Sequence, residues 1–197
     1  WFNPGFLTLE KIDWNTEASI LEKIIQYESV HTITDWKDLK NRLTINRRCF
    51  AYFHPALDDE PLIFVEIALT TGISSSIQSI INDDDKVEQQ ADTAIFYSIN
   101  NCQHGLKRVP LGNFLIKMVV TELTMELPSI KKYSTLSPIP GFADWLKKEI
   151  ASNDSKFLTE DSRETFKLLE DKLWYQNSAK SKKLKKPLIK ACAHYLL

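Results

Sequence analysis

The sequence predicts an α/β protein in which a sheet is flanked by helices. Four segments rich in aromatic and β-branched residues are typical of strands, and the segments around them show the apolar spacing of amphipathic helices. The chain has 197 residues, of which 43% are hydrophobic and 26% charged, so it can bury one sizeable core with a small appendage.

A helical segment over residues 1–45 precedes the predicted sheet. Residues 36–43 indicate one short helix. Residues 17–29 indicate another, because apolar side chains recur there at helical spacing: Ile20, Leu21, Ile24 and Ile25.

The predicted sheet begins with a hairpin. Residues 48–54 and 62–69 are rich in β-branched and aromatic side chains, and the acidic turn PALDDEP joins them. We therefore expect two antiparallel strands. After a short helix at 75–81 and a polar loop at 82–90, residues 93–99 (TAIFYSI) predict a third strand.

The strongest helix signal lies in residues 113–127 and ends at Pro128. A strand at 132–136, the turn SPIPGF and a helix at 143–150 follow. Together with the hairpin these elements form the predicted core, residues 46–150. The apolar face of the long helix is predicted to consist of Phe114, Leu115, Met118, Val119 and Leu123.

Residues 151–197 are predicted to be a helical insertion, because the composition becomes polar and rich in lysine. A helix is expected at 162–174. The basic run at 180–186 is interpreted as a solvated face, and the alternative is that it helps to hold the phosphates of a nucleotide. The last helix is expected to begin at Pro187, since proline is favoured in a first turn. It stops inside an apolar run, and the chain starts with Trp1 rather than Met, so both ends indicate truncation.

Composition argues against several classes of protein. The formal net charge of −1 disfavours a nucleic-acid-binding protein. No apolar run reaches the roughly 18 residues of a membrane span. Three cysteines without a CxxC pair predict reduced core thiols rather than a disulfide framework or a zinc site: Cys49, Cys102 and Cys192.

A glycine-containing loop joins the third predicted strand to the long helix. Gly105 and Gly112 allow close backbone approach to an anion at the helix N-terminus, and Lys107 and Arg108 add positive charge. From the residues alone, two interpretations stay open: a pyrophosphate cradle for a CoA-like ligand, or an ordinary strand-to-helix connection. His104 has the best claim to a ligand contact, and the other histidines are interpreted as structural: His31, His54 and His194.

Ser137 follows a predicted strand and precedes Pro138 and Pro140 in a stiff turn. Its hydroxyl can therefore project from a fixed place as a hydrogen-bond donor. The alternative is a serine that serves only the turn, because Ser-Pro is common in turns.

Five blocks of sequence resemble the malonyl-CoA decarboxylase family in the same order and at compatible spacing: WFNPGFL, NRRCFAYFHPALDDEPLIFVEIALT, TAIFYSINNCQHGL, LGNFLIKMVV and LSPIPGF. The resemblance extends from Trp1 to around residue 150 and more weakly to Leu197. It implies an acetyltransferase-like (GNAT) fold, a mixed sheet flanked by helices that is incomplete in this chain. It also implies a helical domain ahead of Trp1 through which the family assembles, and thus a homo-oligomer.

The resemblance implies roles for particular residues. Ser137 corresponds to the family's catalytic serine, and Arg108 stands where the family's GLxG pattern has glycine. The family's catalytic histidine lies in an Asn-x-His-Leu segment, which these residues do not contain, and His194 does not match it. Ser137 would also bind the substrate, through a hydrogen bond to its malonyl group. Seven consecutive residues would bind the CoA portion: Lys107, Arg108, Val109, Pro110, Leu111, Gly112 and Asn113.

The function that the resemblance implies is conversion of malonyl-CoA to acetyl-CoA and CO2 in fatty-acid metabolism, without a metal or redox cofactor. The chain alone is expected to be poorly active, because it lacks the histidine that would donate the proton. Two alternatives stay open: an acyl-CoA acyltransferase of the same fold, and a non-catalytic CoA-binding module. Cytoplasm, mitochondrion and peroxisome are all compatible with the sequence.

Overall fold

The structure is a computed structural model that describes residues 4–74, 76–81, 91–106, 109, 111–152, 155 and 157–197. The chain forms two compact units, Trp1–Pro138 and Ile139–Leu197. The three-part division expected from the sequence, at residues 45 and 150, stays a prediction.

The first unit contains a five-stranded mixed sheet with strands in the order β1-β2-β3-β4-β5. Neighbouring strands from β1 to β4 are antiparallel, and β5 runs parallel to β4. The strands are β1 (Thr8–Ile12), β2 (Arg47–Phe53), β3 (Ile63–Thr70), β4 (Thr93–Asn101) and β5 (Lys132–Thr135). The helices are α1 (Ala18–Tyr27), α2 (Trp36–Arg42), α3 (Ile77–Ile81) and α4 (Leu111–Glu126), with single 3-10 turns at Pro4–Phe6 and His104–Leu106.

These elements confirm the predicted α/β class, the hairpin and the long helix. Strand β1 was not predicted. Its sequence, TLEKI, is mostly exposed, with only Ile12 buried. An exposed edge strand that carries Glu10 and Lys11 lacks the apolar alternation by which a half-buried strand is recognised.

The central strands are buried on both faces, which is why most of their residues are apolar. In β2, Phe50 and Tyr52 pack into the cluster that contains α4, while Cys49, Ala51 and Phe53 pack into the cluster formed with α1. Alternation of side chains along a strand separates the two sets. The sheet therefore lies between α4 on one face and α1 on the other.

Helix α4 buries one narrow stripe, in which every fourth residue is covered: Leu111, Leu115, Val119 and Leu123. Met118 was predicted to belong to the apolar face, but it is 36% exposed. Its position lies beside the stripe rather than on it, because residues four apart follow one line along a helix.

Strands β4 and β5 separate near the middle of β4. Their pairing ends at Phe96 and Thr135, whereas β4 continues to Asn101. The last connection is the Leu136 amide, which donates to the Phe96 carbonyl at 2.9 Å. Beyond this point the sheet opens, and Ser137 is the next residue of the diverging chain.

The second unit consists of α5 (Phe142–Ala151), α6 (Glu160–Phe166) and α7 (Ser178–Leu196), with 3-10 turns at Lys167–Glu170 and Trp174–Gln176. The expected helix at 162–174 is therefore shorter and irregular at its end. Four side chains from the three helices form the buried core of this unit: Leu146, Phe166, Leu184 and Ala191.

The expected start of the last helix at Pro187 is wrong, because α7 begins at Ser178. The Asn177 side chain caps it by accepting from the Ala179 and Lys180 amides at 3.0 and 3.1 Å. Pro187 lies inside the helix. Leu184 and Ala191 are both fully buried on either side of it, so core packing holds the helix together where the proline removes a hydrogen bond.

Candidate functional site

Ser137 lies in a groove at the opening between β4 and β5. The groove has a volume of about 320 Å³. Three separate segments line it, and we call it the Ser137 groove: His31 from the loop after α1; Ser76, Ile77 and Gln78 from the start of α3; Leu136, Ser137 and Pro138 from the turn after β5.

The turn that carries Ser137 is anchored on its N-terminal side. Leu136 packs against the buried cluster that contains Ile95 and Tyr97, and its amide is bonded to β4. Pro138 restricts the backbone directly after Ser137. The serine itself is exposed. Its hydroxyl is therefore held at a fixed place on the wall of the groove and remains accessible to a ligand.

Among the described residues that line this groove, His31 is the one with an ionisable side chain. Its Nε2 is buried and has no hydrogen-bond partner in the part of the chain that the structure describes. Its ring lies 6.1 Å from that of Tyr97. Burial lowers the pKa of His31; Glu28 and the Tyr97 backbone oppose this, and Arg42 lowers the pKa further. The imidazole is consequently neutral at physiological pH.

Glu28 fixes the loop that presents His31. One carboxylate oxygen accepts from the amides of Val30 and His31 at 2.8 and 2.7 Å. The other accepts from the Ser98 hydroxyl at 2.7 Å and from the Asn100 amide group at 2.6 Å. Glu28 is only 4% exposed. A buried carboxylate with four donors thus ties the His31 loop to the part of β4 that β5 leaves unpaired.

A buried ion pair lies in the same face of the sheet. The Arg42 guanidinium donates to Glu66 and to Asp38, each at 3.1 Å. Burial opposes the charge of Arg42, but Glu66 and Asp38 raise its pKa above the usual range. Burial raises the pKa of Glu66, Glu28 raises it further, and Arg42 opposes both. Arg42 thus stays a permanent positive charge that disfavours protonation of His31.

The start of α4 is the second part of the candidate site. It follows β4 through the 3-10 turn His104–Leu106, and the Leu111 amide donates to the Val109 carbonyl at 2.8 Å. Leu111 is 4% exposed, so its side chain anchors the helix and only its backbone could contact a ligand. The amides of a first turn attract anions. Lys107, Arg108 and Pro110, which the sequence assigned to CoA binding, lie outside the described residues.

Gly112 and Asn113 occupy the first turn of α4. Asn113 is exposed. A Cβ atom at Gly112 would lie 3.9 Å from the side chains of Ile63 and Ile99, which is ordinary van der Waals contact. It would therefore face the sheet, and packing alone does not require glycine at this position.

The histidine that lines the candidate site is not the one that the sequence favoured as a ligand contact. His104, the preferred candidate, is exposed in its 3-10 turn. The His54 Nδ1 accepts from the Ala56 amide at 3.1 Å, and His194 stacks on Phe157 with ring centroids 4.8 Å apart. His31, interpreted as structural, is the histidine that lines the groove with Ser137. No local signal in the sequence indicates this, because the contact joins distant segments.

Among the described residues, no group of three or more His, Cys, Asp or Glu side chains is arranged to hold a metal ion. Within the same residues, no helix is both long and apolar enough to cross a membrane.

The fold belongs to a known class. The loading GNATL domain of CurA from Lyngbya majuscula superimposes with a TM-score of 0.53 at 11% sequence identity, covering 76% of this chain and 75% of that chain. The two chains thus share a fold, an α/β arrangement with a mixed sheet between helices, and this is the GNAT-like fold that the family resemblance implied.

Residues 5–197 match the family model described as malonyl-CoA decarboxylase C-terminal domain, and the chain belongs to the malonyl-CoA decarboxylase family. The crystal structure of malonyl-CoA decarboxylase from Rhodopseudomonas palustris is 48% identical, with a TM-score of 0.90 over 99% of this chain and 48% of that chain. The Agrobacterium vitis structure is 50% identical, with a TM-score of 0.86 over 94% and 46%.

A mitochondrial malonyl-CoA decarboxylase from Anser anser anser is 44% identical over 100% of this chain and 43% of its own length. The chain therefore spans less than half of the length of these three malonyl-CoA decarboxylases.

Proposed function

We propose that this chain contributes the acyl-CoA site and the reactive serine of a malonyl-CoA decarboxylase, which converts malonyl-CoA to acetyl-CoA and CO2. The observation that carries the proposal is the position of Ser137, on the wall of a groove where two parallel strands diverge, in a chain of this family. Open α/β sheets bind ligands at the carboxyl ends of their strands.

The two parts of the candidate site lie at the same end of the parallel strands β4 and β5. Helix α4 starts after the C-terminal end of β4, and Ser137 follows the C-terminal end of β5. In this proposal the diphosphate of CoA contacts the first turn of α4 and the adjoining loop, while the acyl group enters the Ser137 groove. The N-terminal amides of a helix and its dipole favour the anionic end of a ligand.

Decarboxylation requires three contributions from the protein. Loss of CO2 leaves the bonding electron pair in the thioester as an enolate. The carboxylate must therefore be held out of the thioester plane, the enolate oxygen must be stabilised, and the carbon must be protonated. The Ser137 hydroxyl donates a hydrogen bond to the reacting malonyl group. The proton comes from a histidine in an Asn-x-His-Leu segment, which these 197 residues do not contain.

The test of the reaction is product identification with the full-length polypeptide that carries this chain. Malonyl-CoA labelled in its carboxyl group should release labelled CO2 and leave one equivalent of acetyl-CoA. Consumption of acetyl-CoA in the presence of an amine acceptor would instead indicate an acyltransferase. Binding of malonyl-CoA without any turnover would indicate a CoA-binding module.

The assignment of the CoA site to residues 107–113 has its own test. Replacing both Lys107 and Arg108 with alanine should weaken binding of CoA, since each charge near a phosphate contributes on the order of 1 kcal/mol or more. A double replacement of Lys182 and Lys183, on the basic helix of the second unit, removes the same charge and serves as the control. Equal loss in both double variants would contradict the assignment. The homo-oligomer stays a prediction, which light scattering of the full-length polypeptide would check.

A further inference from the structure

The turn that carries Ser137 continues as a stiff segment to Pro140. Pro138 and Pro140 have fixed φ angles, and a proline also restricts the residue before it. Ser137 and Ile139 are these preceding residues, so few backbone rotations are free along residues 137–140. A restraint placed on Pro140 consequently limits the directions that the Ser137 side chain can take.

Tyr195 supplies such a restraint from helix α7. Its hydroxyl donates to the Pro140 carbonyl at 2.7 Å. The Tyr195 ring packs against the rings of Trp145 and Phe142, with centroid distances of 5.1 and 5.7 Å. Packing against two neighbours leaves the ring little freedom to change rotamer, so its hydroxyl is directed at one place.

Gly141 leaves room for this hydrogen bond. Its φ angle is +75°, in the left-handed region that favours glycine. A Cβ atom at this position would lie 2.9 Å from the Tyr195 hydroxyl oxygen, which is too close for either atom to stay in place. A side chain at residue 141 would therefore displace the hydroxyl from the Pro140 carbonyl. The glycine of the turn SPIPGF and the tyrosine of α7 thus serve the same contact.

We propose that Tyr195 is a positioning residue for Ser137: its hydrogen bond to Pro140 holds the stiff segment in the arrangement in which the Ser137 hydroxyl reaches the malonyl group. This inference rests on the proposed function for the role of Ser137, and it assigns no substrate contact to Tyr195. The two restraints lie on opposite sides of the serine. The bond from the Leu136 amide to β4 precedes it, and the bond from Tyr195 follows it.

The test compares Tyr195→Phe with the parent in the full-length polypeptide, because phenylalanine keeps the ring and removes only the hydroxyl. A neutral hydrogen bond shifts a conformational equilibrium by about 10-fold at most, so kcat for acetyl-CoA formation should fall about 3- to 10-fold. The affinity for CoA should not change. Tyr175→Phe removes an exposed hydroxyl from the same unit and is the matched control, which should keep the parent kcat.

Two further variants separate positioning from a general effect on structure. In the Ser137→Ala background, Tyr195→Phe should leave the residual rate unchanged, because no hydroxyl remains to be positioned. Gly141→Ala should lower kcat in the same way as Tyr195→Phe. Combining Gly141→Ala with Tyr195→Phe should lower kcat by less than the product of the two single effects, since both act on one contact.

Two outcomes overturn the role of Tyr195. In one, Tyr195→Phe keeps the parent kcat. In the other, Tyr195→Phe lowers the rate by the same factor with and without the Ser137 hydroxyl, which means that Tyr195 supports the site as a whole. The proposed function fails separately, when the polypeptide with Ser137 intact forms no acetyl-CoA or when Ser137→Ala keeps the parent rate, and the role of Tyr195 then falls with it.

Discussion

Removal of Arg42 is the perturbation with the largest predicted effect on stability. Arg42 and Glu66 are 5% and 1% exposed, and their nearest atoms lie 3.1 Å apart. Arg42→Ala would leave the Glu66 carboxyl group buried without its cationic partner. Glu28, which lies near it, already raises the pKa of Glu66. Removing one partner of a buried ion pair costs about 3–5 kcal/mol. We therefore expect a decrease of this size in the free energy of unfolding.

In urea unfolding, this decrease should appear as a lower midpoint concentration of urea, while the dependence of the free energy of unfolding on urea concentration stays the same. Lys11→Ala is the matched control, because Lys11 also forms an ion pair between distant segments, with Glu126 at 2.8 Å, but the two side chains are 43% and 33% exposed. Pairs of this kind contribute about 0–1 kcal/mol. If Arg42→Ala loses no more stability than Lys11→Ala, the reasoning from burial is refuted.

The effect of Arg42→Ala should also depend on pH. The folded-state pKa of Glu66 lies above its unfolded value, so ionisation in the unfolded chain lowers stability as pH rises from the unfolded pKa towards the folded one. Loss of Arg42 raises the folded pKa still further. Both proteins lose stability in parallel up to the wild-type folded pKa of about 8, so the difference between them should widen above that value and be larger at about pH 9 than at about pH 5. Replacing both Arg42 and Glu66 by methionine removes both charges and should recover most of the loss.

Three further predictions follow from single side chains. Glu28→Ala, which leaves two buried and two partly buried donors without their acceptor, should lower stability by about 3 kcal/mol. The exposed Glu22→Ala should change stability by less than about 0.5 kcal/mol, and chemical unfolding compares the two variants. Gly112→Ala should raise stability by about 0.5 kcal/mol and leave CoA affinity unchanged, because the added methyl group faces the sheet; a loss of either would contradict the geometry. The His31 ring should titrate by NMR below the usual value of about 6.5, and its pKa should rise in Arg42→Ala; an unchanged pKa would show that Arg42 does not act on it.

Local patterns in the sequence predicted two kinds of element: strands that are buried on both faces and helices that bury one face. The hairpin of β2 and β3 was predictable because nearly every residue of both strands is buried, and α4 because its apolar residues recur at helical spacing. Strand β1 was missed because it is an exposed edge. The start of α7 was missed because the lysine-rich stretch after Ser178 has almost no apolar residues, and only tertiary packing of Leu184 and Ala191 reveals which face is covered.

The candidate site was predictable only in part. Ser137 was identified from its turn and from the family resemblance, because a strand end followed by two prolines is a local feature. His31 could not be associated with it, since its place depends on the bonds that Glu28 forms to Ser98 and Asn100 on a distant strand. Sequence spacing carries no information about such contacts.

The measurement that tests the central claim most directly is the rate of acetyl-CoA formation from malonyl-CoA by the full-length polypeptide with Ser137→Ala. A positioned donor to the reacting group is worth about 10²- to 10³-fold in kcat, so the rate should fall by that factor while the affinity for CoA stays the same. The exposed Ser129→Ala, in the loop before β5, should react like the wild type. A Ser137→Ala protein that decarboxylates malonyl-CoA at the wild-type rate would contradict the account.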